Sequence, residues 1–152
     1  MPNGDVEFRG FTPYLFCRDA AAMLRWYSDA FGFEEKSRWL DDRGHVHNAE
    51  MRVGNTELWL DGSGAERSRT DGSQPAQYIG VWVDDVDAMH ERVLAAGVDA
   101  EPPEDKPYGV RTFGVTDPEG HHWFFMHPIP VAAAPVRAST PELRDEFVRF
   151  VD

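Results

Sequence analysis

Landmarks of the sequence recur at an almost constant spacing of 65 or 66 residues. Each set begins with an aspartate before a segment of helical periodicity, continues with a glycine after that segment, and ends with a glycine in a tight turn. The three pairs are Asp19 with Asp84, Gly32 with Gly97, and Gly54 with Gly120. Such a repeat predicts two copies of one supersecondary unit that combine their sheets, because neither copy buries its own sheet alone.

The first half predicts a strand, a helix and three further strands. Residues 11–17 are rich in aromatic and apolar side chains, which favours a buried strand. Asp19 is a suitable N-cap for a helix over 20–30, and Gly32 lies where a glycine commonly ends a helix. The three extended segments that follow are 33–40, 45–52 and 56–60.

The second half repeats this order. A strand over 78–83 precedes Asp84 or Asp85, either of which could cap a helix that runs to about residue 96. The remaining segments are a short strand at 98–100, an acidic loop over 101–106, and strands at about 111–116 and 122–127. Two βαβββ modules in tandem predict an α+β fold.

Composition divides the chain into five segments. They are an N-terminal segment 1–10, a first module 11–61, a polar linker 62–76, a second module 77–128 and a tail 129–152. The linker is rich in Gly, Ser, Arg and Asp and lacks apolar periodicity. The tail predicts a short C-terminal helix over about 141–151, with Leu143, Phe147 and Phe150 available to pack on the domain or on a partner chain.

The charge balance argues against several classes of partner. The 152 residues carry a formal net charge of −12, which opposes binding to nucleic acid or to an anionic membrane. The charge favours cationic small molecules or metal ions, or else it only keeps the surface solvated. The single cysteine Cys17, the absence of an apolar leader, and the absence of an apolar run long enough to span a membrane together predict a cytoplasmic protein.

The most specific motif surrounds the turn at residues 117–120. The sequences Asp117-Pro118-Glu119-Gly120-His121-His122-Trp123, Trp26-Tyr27…Phe31-Gly32-Phe33 and Val83-Asp84-Asp85-Val86-Asp87 resemble the glyoxalase / bleomycin resistance / dioxygenase (vicinal oxygen chelate) superfamily over about residues 11–128. Bleomycin-resistance-like and PhnB-like members look closest. The resemblance implies that the paired modules form a half-open, curved-sheet cup. In the family's metalloenzymes, four His, Gln or Glu ligands lie on its concave face.

The ligand positions that the resemblance implies hold mostly unsuitable residues. They are Thr12, Glu57, Tyr78 and Phe124. One carboxylate does not hold a divalent ion in a site that normally uses three or four donors, so we expect no metal and no other cofactor. His45 and His47 with Glu50 could form an unusual metal site, although two solvent-facing histidines are the alternative.

If the ligand positions that the resemblance implies face into the cup, alternation along the strands predicts which residues line it. They are Thr12, Tyr14, Phe16, Glu57, Trp59, Tyr78, Trp82, His122 and Phe124. Aromatic rings with one carboxylate suit planar or cationic organic ligands, although the same residues could simply pack the core. In the resembling proteins the loop before the seventh strand borders the pocket, which adds Tyr108 and Arg111 as gate or anion-contact candidates. An exposed turn and an ordinary surface arginine are the equal alternative.

Three functions are compatible with these features. The first is a metal-free, homodimeric binding protein that sequesters a hydrophobic or cationic small molecule, as drug-sequestering antibiotic resistance proteins do. The second is an enzyme of the same superfamily (a lyase, isomerase or dioxygenase) with an unusual metal site or none, in which Glu57 and His122 would be the acid and base. The third is a partner-binding module without a pocket ligand.

Overall fold

The computed structural model describes residues 6–63 and 77–130. The predicted C-terminal helix therefore lies outside the described residues. The first module comprises β1 (Tyr14–Phe16), α1 (Ala20–Trp26), a π-helical turn (Tyr27–Phe31), β2 (Glu34–Leu40), β3 (Val46–Val53) and β4 (Thr56–Asp61). The second comprises β5 (Tyr78–Trp82), α2 (Val86–Ala95), β6 (Glu104–Lys106), β7 (Val110–Thr116) and β8 (His122–Pro128).

The two modules have the same sheet topology. The strand order is β1-β4-β3-β2 in the first sheet and β5-β8-β7-β6 in the second. The first strand of each module pairs with the last in parallel, and the other neighbours are antiparallel. Neither sheet closes into a barrel, so the predicted α+β fold of two tandem, half-open βαβββ sheets is confirmed. Neither described helix is long and apolar enough to cross a membrane.

Equivalent aspartates begin the two helices. The Asp19 side chain accepts from the Ala22 backbone N–H at 3.0 Å, and Asp85 accepts from the Ala88 N–H at the same distance. Asp85, rather than Asp84, is therefore the true counterpart of Asp19. Each cap supplies an acceptor for a backbone donor that has no partner within its helix.

Three elements differ from the sequence prediction. The buried strand expected over 11–17 is shorter, Tyr14–Phe16, and only its Leu15 is buried. The helix over 20–30 is α-helical only to Trp26 and continues as the π-helical turn, which buries Tyr27, Ala30 and Phe31 together. The strand predicted at 98–100 is absent, and β6 forms instead within the stretch predicted as a loop. Lys106 pairs with Val110 across the turn that precedes β7, so local hairpin closure determines where this edge strand forms.

One hydrophobic core joins the modules. The Phe31 ring lies 5.4 Å from the ring of Trp123 and 4.8 Å from that of Phe125, so the end of the first module's helical segment packs on the second sheet. Trp123 and Phe125 are essentially inaccessible to solvent. Burying aromatic side chains of this size supplies much of the free energy that holds the two modules together.

The turn between β7 and β8 also joins the modules through hydrogen bonds. Asp117 accepts from the Tyr27 hydroxyl at 2.5 Å, and Glu119 accepts from the backbone N–H groups of Arg18 and Asp19 at 2.8 and 3.0 Å. His121 is buried, with Nε2 lying 3.3 Å from the Phe16 carbonyl oxygen. The buried His121 side chain is therefore part of the junction between the modules.

Cys17 is expected to be unreactive in the folded protein. Its side chain is fully buried, and burial together with the nearby carboxylates of Glu119 and Asp117 raises the pKa of the thiol well above its ordinary value. Because the thiolate is the reactive species, iodoacetamide should modify Cys17 only after denaturation. Mass spectrometry of native and denatured samples measures this, with exposed Ala88→Cys as the accessible control. Modification of Cys17 at the rate of that control would contradict the buried position.

Candidate ligand-binding faces

Each sheet has one face that packs against the shared core and one outer face that points away from it. Leu15, Leu58 and Leu60 are buried on the core side of the first sheet. We call the opposite side the first outer face, and it carries Tyr14, Phe16, Trp39, Asn48, Glu50, Glu57, Trp59 and Asp61. The second outer face carries Tyr78, Gly80, Trp82, Thr112, Gly114, Thr116, His122, Phe124 and Met126.

Hydrogen bonds hold the aromatic side chains of the first outer face in place. The rings of Tyr14 and Trp59 meet edge to face at 5.7 Å. The Asn48 amide donates to the Tyr14 hydroxyl, and the Trp59 indole N–H donates to Glu57 at 2.8 Å. Burial and the nearby Asp61 carboxylate raise the pKa of Tyr14, so its hydroxyl stays neutral near pH 7.

The two glutamates of this face have different partners. Glu57 accepts from the Lys36 ammonium at 2.7 Å, and this bond, followed by the one from Trp59, lowers the pKa of Glu57. Glu50 accepts from the Ser37 hydroxyl at 2.8 Å and lies 3.8 Å from Lys36. Glu57 is therefore the main partner of Lys36.

The second outer face is an aromatic surface with one imidazole. Tyr78 and Phe124 stack nearly parallel at 5.9 Å, and the His122 ring meets both edge to face at 5.5 and 4.6 Å. Thr116 Oγ1 lies 2.9 Å from His122 Nδ1. A Cβ atom at Gly114 would lie 2.8 Å from His122 Nε2, so glycine is needed for the imidazole to lie across β7.

Two clefts adjoin these faces. The smaller, of about 330 Å³, lies on the first outer face between Trp39 and Trp59, with Tyr14, Asn48, Ala49 and Glu50 as its other lining residues. The larger, of about 780 Å³, lies between the modules. Its wall is mainly core-side residues such as Ile79 and Val81, and Glu57 and Trp82 border it. Both volumes lie within the range of small-molecule sites.

The structure brings most of the predicted site residues onto the two outer faces. Tyr14, Phe16, Glu57 and Trp59 lie on the first, and Tyr78, Trp82, His122 and Phe124 on the second. Thr12 is exposed and precedes β1, and half-buried Tyr108 lies in the turn between β6 and β7.

Arg111 does not join this set. It lies on the core side of β7, where its guanidinium binds Asp87 of α2 and Asp105 of β6, each at 2.9 Å. The two carboxylates raise the pKa of Arg111 further above its ordinary value. Its charge is thus paired with acidic side chains on the opposite side of the second sheet from Tyr78 and Phe124.

Trp39, Asn48 and Glu50 were missed as binding-face residues. The sequence indicates Glu50 only as a possible metal ligand, with His45 and His47. Asn48 and Glu50 alternate with buried Ala49 and Met51, a pattern that could have placed them on the outer face. Trp39 carries no such signal, because an irregularity between Glu35 and Ser37 interrupts the alternation along β2.

The donors on these faces do not fit a metal ion. At the positions that the resemblance assigns to ligands, Phe124 stacks on Tyr78, and the Glu57 carboxylate binds Lys36. The alternative set does not converge either, since His45 lies 3.6 Å from Asp41 while Glu50 binds Ser37. Across residues 6–63 and 77–130, no three His, Cys, Asp or Glu side chains come together in a group that could hold an ion.

Similar proteins match this chain along most of their length. An uncharacterized Mycobacterium tuberculosis protein, Rv0887c, is 31% identical over 126 residues, which cover 78% of this chain and 74% of that protein. The crystal structure of TioX from Micromonospora sp. ML1 matches with a TM-score of 0.66 and 30% identity, covering 80% of this chain and all of TioX.

A further solved structure holds a ligand. The bleomycin-binding protein of the bleomycin producer Streptomyces verticillus, complexed with copper(II)-bleomycin, matches with a TM-score of 0.56 and 27% identity, covering 79% of this chain and 96% of that protein. The family model of the Glyoxalase/Bleomycin resistance protein/Dioxygenase superfamily matches residues 10–125. Together with the paired βαβββ modules, this match shows that the chain belongs to the Glyoxalase/Bleomycin resistance protein/Dioxygenase superfamily.

Proposed function

We propose that the protein is a metal-free binding protein that sequesters a hydrophobic or cationic small molecule. The observation that carries the proposal is the exposure of aromatic rings on both outer faces, where Tyr14 is 46%, Tyr78 62% and Trp82 63% exposed. Clusters of exposed aromatic side chains on one face are typical of binding sites, whereas ordinary surface exposes such residues singly. The copper(II)-bleomycin complex of the Streptomyces verticillus protein supports a ligand of this class.

We further propose a homodimer. The outer faces point away from the core that joins the modules, as the packing of Phe31 on Trp123 shows. A second copy could set its second outer face opposite the first outer face of this chain and close a pocket between them. Two-fold symmetry then produces two equivalent pockets, because each copy supplies one face to each pocket.

Binding is better supported than catalysis. The enzyme alternative needs Glu57 as an acid or base, yet hydrogen bonds from Lys36 and Trp59 lower the pKa of that carboxyl and favour its ionised form. His122 has one ring nitrogen beside Thr116 and belongs to an aromatic cluster with Tyr78 and Phe124. Residues held in this way suit ligand contact more than proton transfer.

A ligand screen with matched variants tests the binding role. We expect planar cationic compounds, including bleomycin with and without copper, to raise the melting temperature of the wild-type protein. Tyr78→Ala should weaken binding about tenfold through lost stacking. Leu94→Ala is the control, because Leu94 is exposed on α2, away from both outer faces. No shift with any compound, or equal binding by both variants, would contradict the proposal.

Three further measurements test the metal, dimer and binding-face parts of the proposal. Elemental analysis of the dialysed protein should find substoichiometric metal, and stoichiometric Fe, Mn, Ni or Zn would favour the enzyme alternative. Sedimentation equilibrium should give twice the monomer mass, and a monomer that still binds its ligand would exclude a pocket between copies. Hydrogen exchange with bound ligand should protect the strands of both sheets that carry the outer faces. Protection confined to the core-side wall of the larger cleft would contradict the assigned faces.

A further inference from the structure

We propose that the first outer face contains a subsite for a quaternary or alkylated ammonium group, formed by Tyr14, Trp39 and Trp59 around Glu50 and Asn48. The proposal rests on the proposed function, since it names the chemical group that one half of the binding site accepts. All five residues belong to the first module, so a single chain contains the whole subsite.

The sheet register places the two tryptophans on the same face, in the two strands that flank β3. Trp39 of β2 pairs with Asn48, and Trp59 of β4 pairs with Glu50. Two strand spacings separate β2 from β4, which is about 10 Å. The cleft of about 330 Å³ lies in this interval, with Asn48 and Glu50 among its lining residues. Tyr14 of β1 adds a further aromatic side chain next to Trp59.

Glu50 is the charged side chain among the residues that line this cleft. Glu50 lies between the tryptophans and is half-buried, and its hydrogen bond from Ser37 fixes the carboxylate without neutralising it. Among the described residues, Lys36 is the cation nearest to Glu50, and it lies closer to Glu57, at 2.7 Å, than to Glu50, at 3.8 Å. The Tyr14 hydroxyl is held by Asn48 and stays neutral, so its ring remains an uncharged wall.

This combination selects a particular kind of cation. Faces of Trp and Tyr attract positive charge, and they favour alkylated ammonium groups, which present a methyl surface to the rings. The Glu50 carboxylate adds long-range attraction and disfavours anions. Trp39 is 52% exposed and contributes little to the core, so its side chain is available to a ligand.

A comparison between choline and its neutral isostere 3,3-dimethylbutan-1-ol tests the subsite. We expect choline to bind about tenfold more tightly than the alcohol. The two molecules differ only in their central atom, which is a positively charged nitrogen in choline and a neutral carbon in the alcohol. Indole N–H signals in NMR spectra of the full chain report the binding, and those of Trp39 and Trp59 should shift while that of Trp123, buried in the core, stays in place.

Variants distinguish the subsite from the rest of the binding surface. Trp39→Ala and Glu50→Gln should each weaken choline binding about five- to tenfold. Leu94→Ala, on α2 and away from both outer faces, should leave choline binding unchanged. Trp39→Leu serves if the alanine variant does not fold, because leucine keeps apolar bulk but removes the ring.

Each outcome is decisive. Equal affinity for choline and the neutral alcohol, or unchanged choline binding by both Trp39→Ala and Glu50→Gln, would overturn the ammonium subsite. If choline fails while Tyr78-dependent binding of planar compounds persists, the subsite alone falls and the proposed function stands. If choline binds as expected while no compound depends on Tyr78, the two-face binding role falls instead.

Discussion

Replacing Asp117 with alanine is expected to lower the free energy of unfolding by about 3–5 kcal/mol. The buried carboxylate accepts from the Tyr27 hydroxyl at 2.5 Å and from the Trp123 indole N–H at 2.9 Å. It also accepts from the backbone N–H groups of Glu119 and His121 at 2.9 and 3.0 Å. Alanine would leave these donors without their partner inside the protein, which costs more than the hydrogen bonds themselves contribute.

Urea unfolding followed by tryptophan fluorescence measures this loss. Asp99→Ala is the matched control, since Asp99 is exposed in the same module and should change stability by no more than about 0.5 kcal/mol. Tyr27→Phe removes only one of the four donors and should cost about 1–2 kcal/mol. Similar stability for Asp117→Ala and Asp99→Ala would show that the turn does not join the modules as described.

The alkaline range provides an independent check on Tyr27. Burial, the charge of Asp117 and the hydrogen bond to it raise the pKa of Tyr27 well above its ordinary value. The unfolded tyrosine ionises near pH 10, whereas the folded one stays protonated, so its contribution to stability is present below pH 10 and is lost as the pH rises. Tyr27→Phe should therefore flatten the decline in stability above that pH.

The features that could be predicted from sequence are those controlled by neighbouring residues. Asp19 caps α1 because its own side chain reaches a backbone donor three residues away. The alternation of Trp123 and Phe125 with His122 and Phe124 was enough to assign their faces, since β8 is regular throughout its pairing. The repeat then determined that both modules have the same element order.

The features that could not be predicted depend on pairing between distant segments. Trp39 reaches the first outer face only because the register of β2 shifts between Glu35 and Ser37. This shift reverses the alternation of faces beyond it, which a regular period of two cannot predict. The sequence predicts Arg111 as a pocket residue. In β7, however, Arg111 alternates with Thr112 of the outer face, so its side chain lies beside Asp87 on the core side. The role of the 117–120 turn as a module junction required the tertiary contact with Tyr27.

The second large effect on stability is expected for Trp123→Ala, and Trp82→Ala is its matched comparison. Both tryptophans lie on neighbouring strands of the second sheet, but Trp123 is 1% exposed on the core side and Trp82 is 63% exposed on the outer face. Trp123→Ala should lower the free energy of unfolding by about 3–5 kcal/mol, because it empties a site packed against Tyr27, Phe31 and Phe33. Trp82→Ala should change it by about 0.5 kcal/mol or less.

The concentration dependence of this comparison distinguishes two roles for the second outer face. If Trp82 only contacts ligand, Trp82→Ala will weaken binding of planar compounds while its stability stays close to that of the wild type at every protein concentration. If the ring also packs against a second copy, the variant will lose stability, and the loss will vary with protein concentration because dimerisation stabilises the folded state by mass action. Equal, concentration-independent losses for Trp82→Ala and Trp123→Ala would contradict the assignment of Trp82 to an exposed face. Urea unfolding at micromolar and at near-millimolar protein measures the difference.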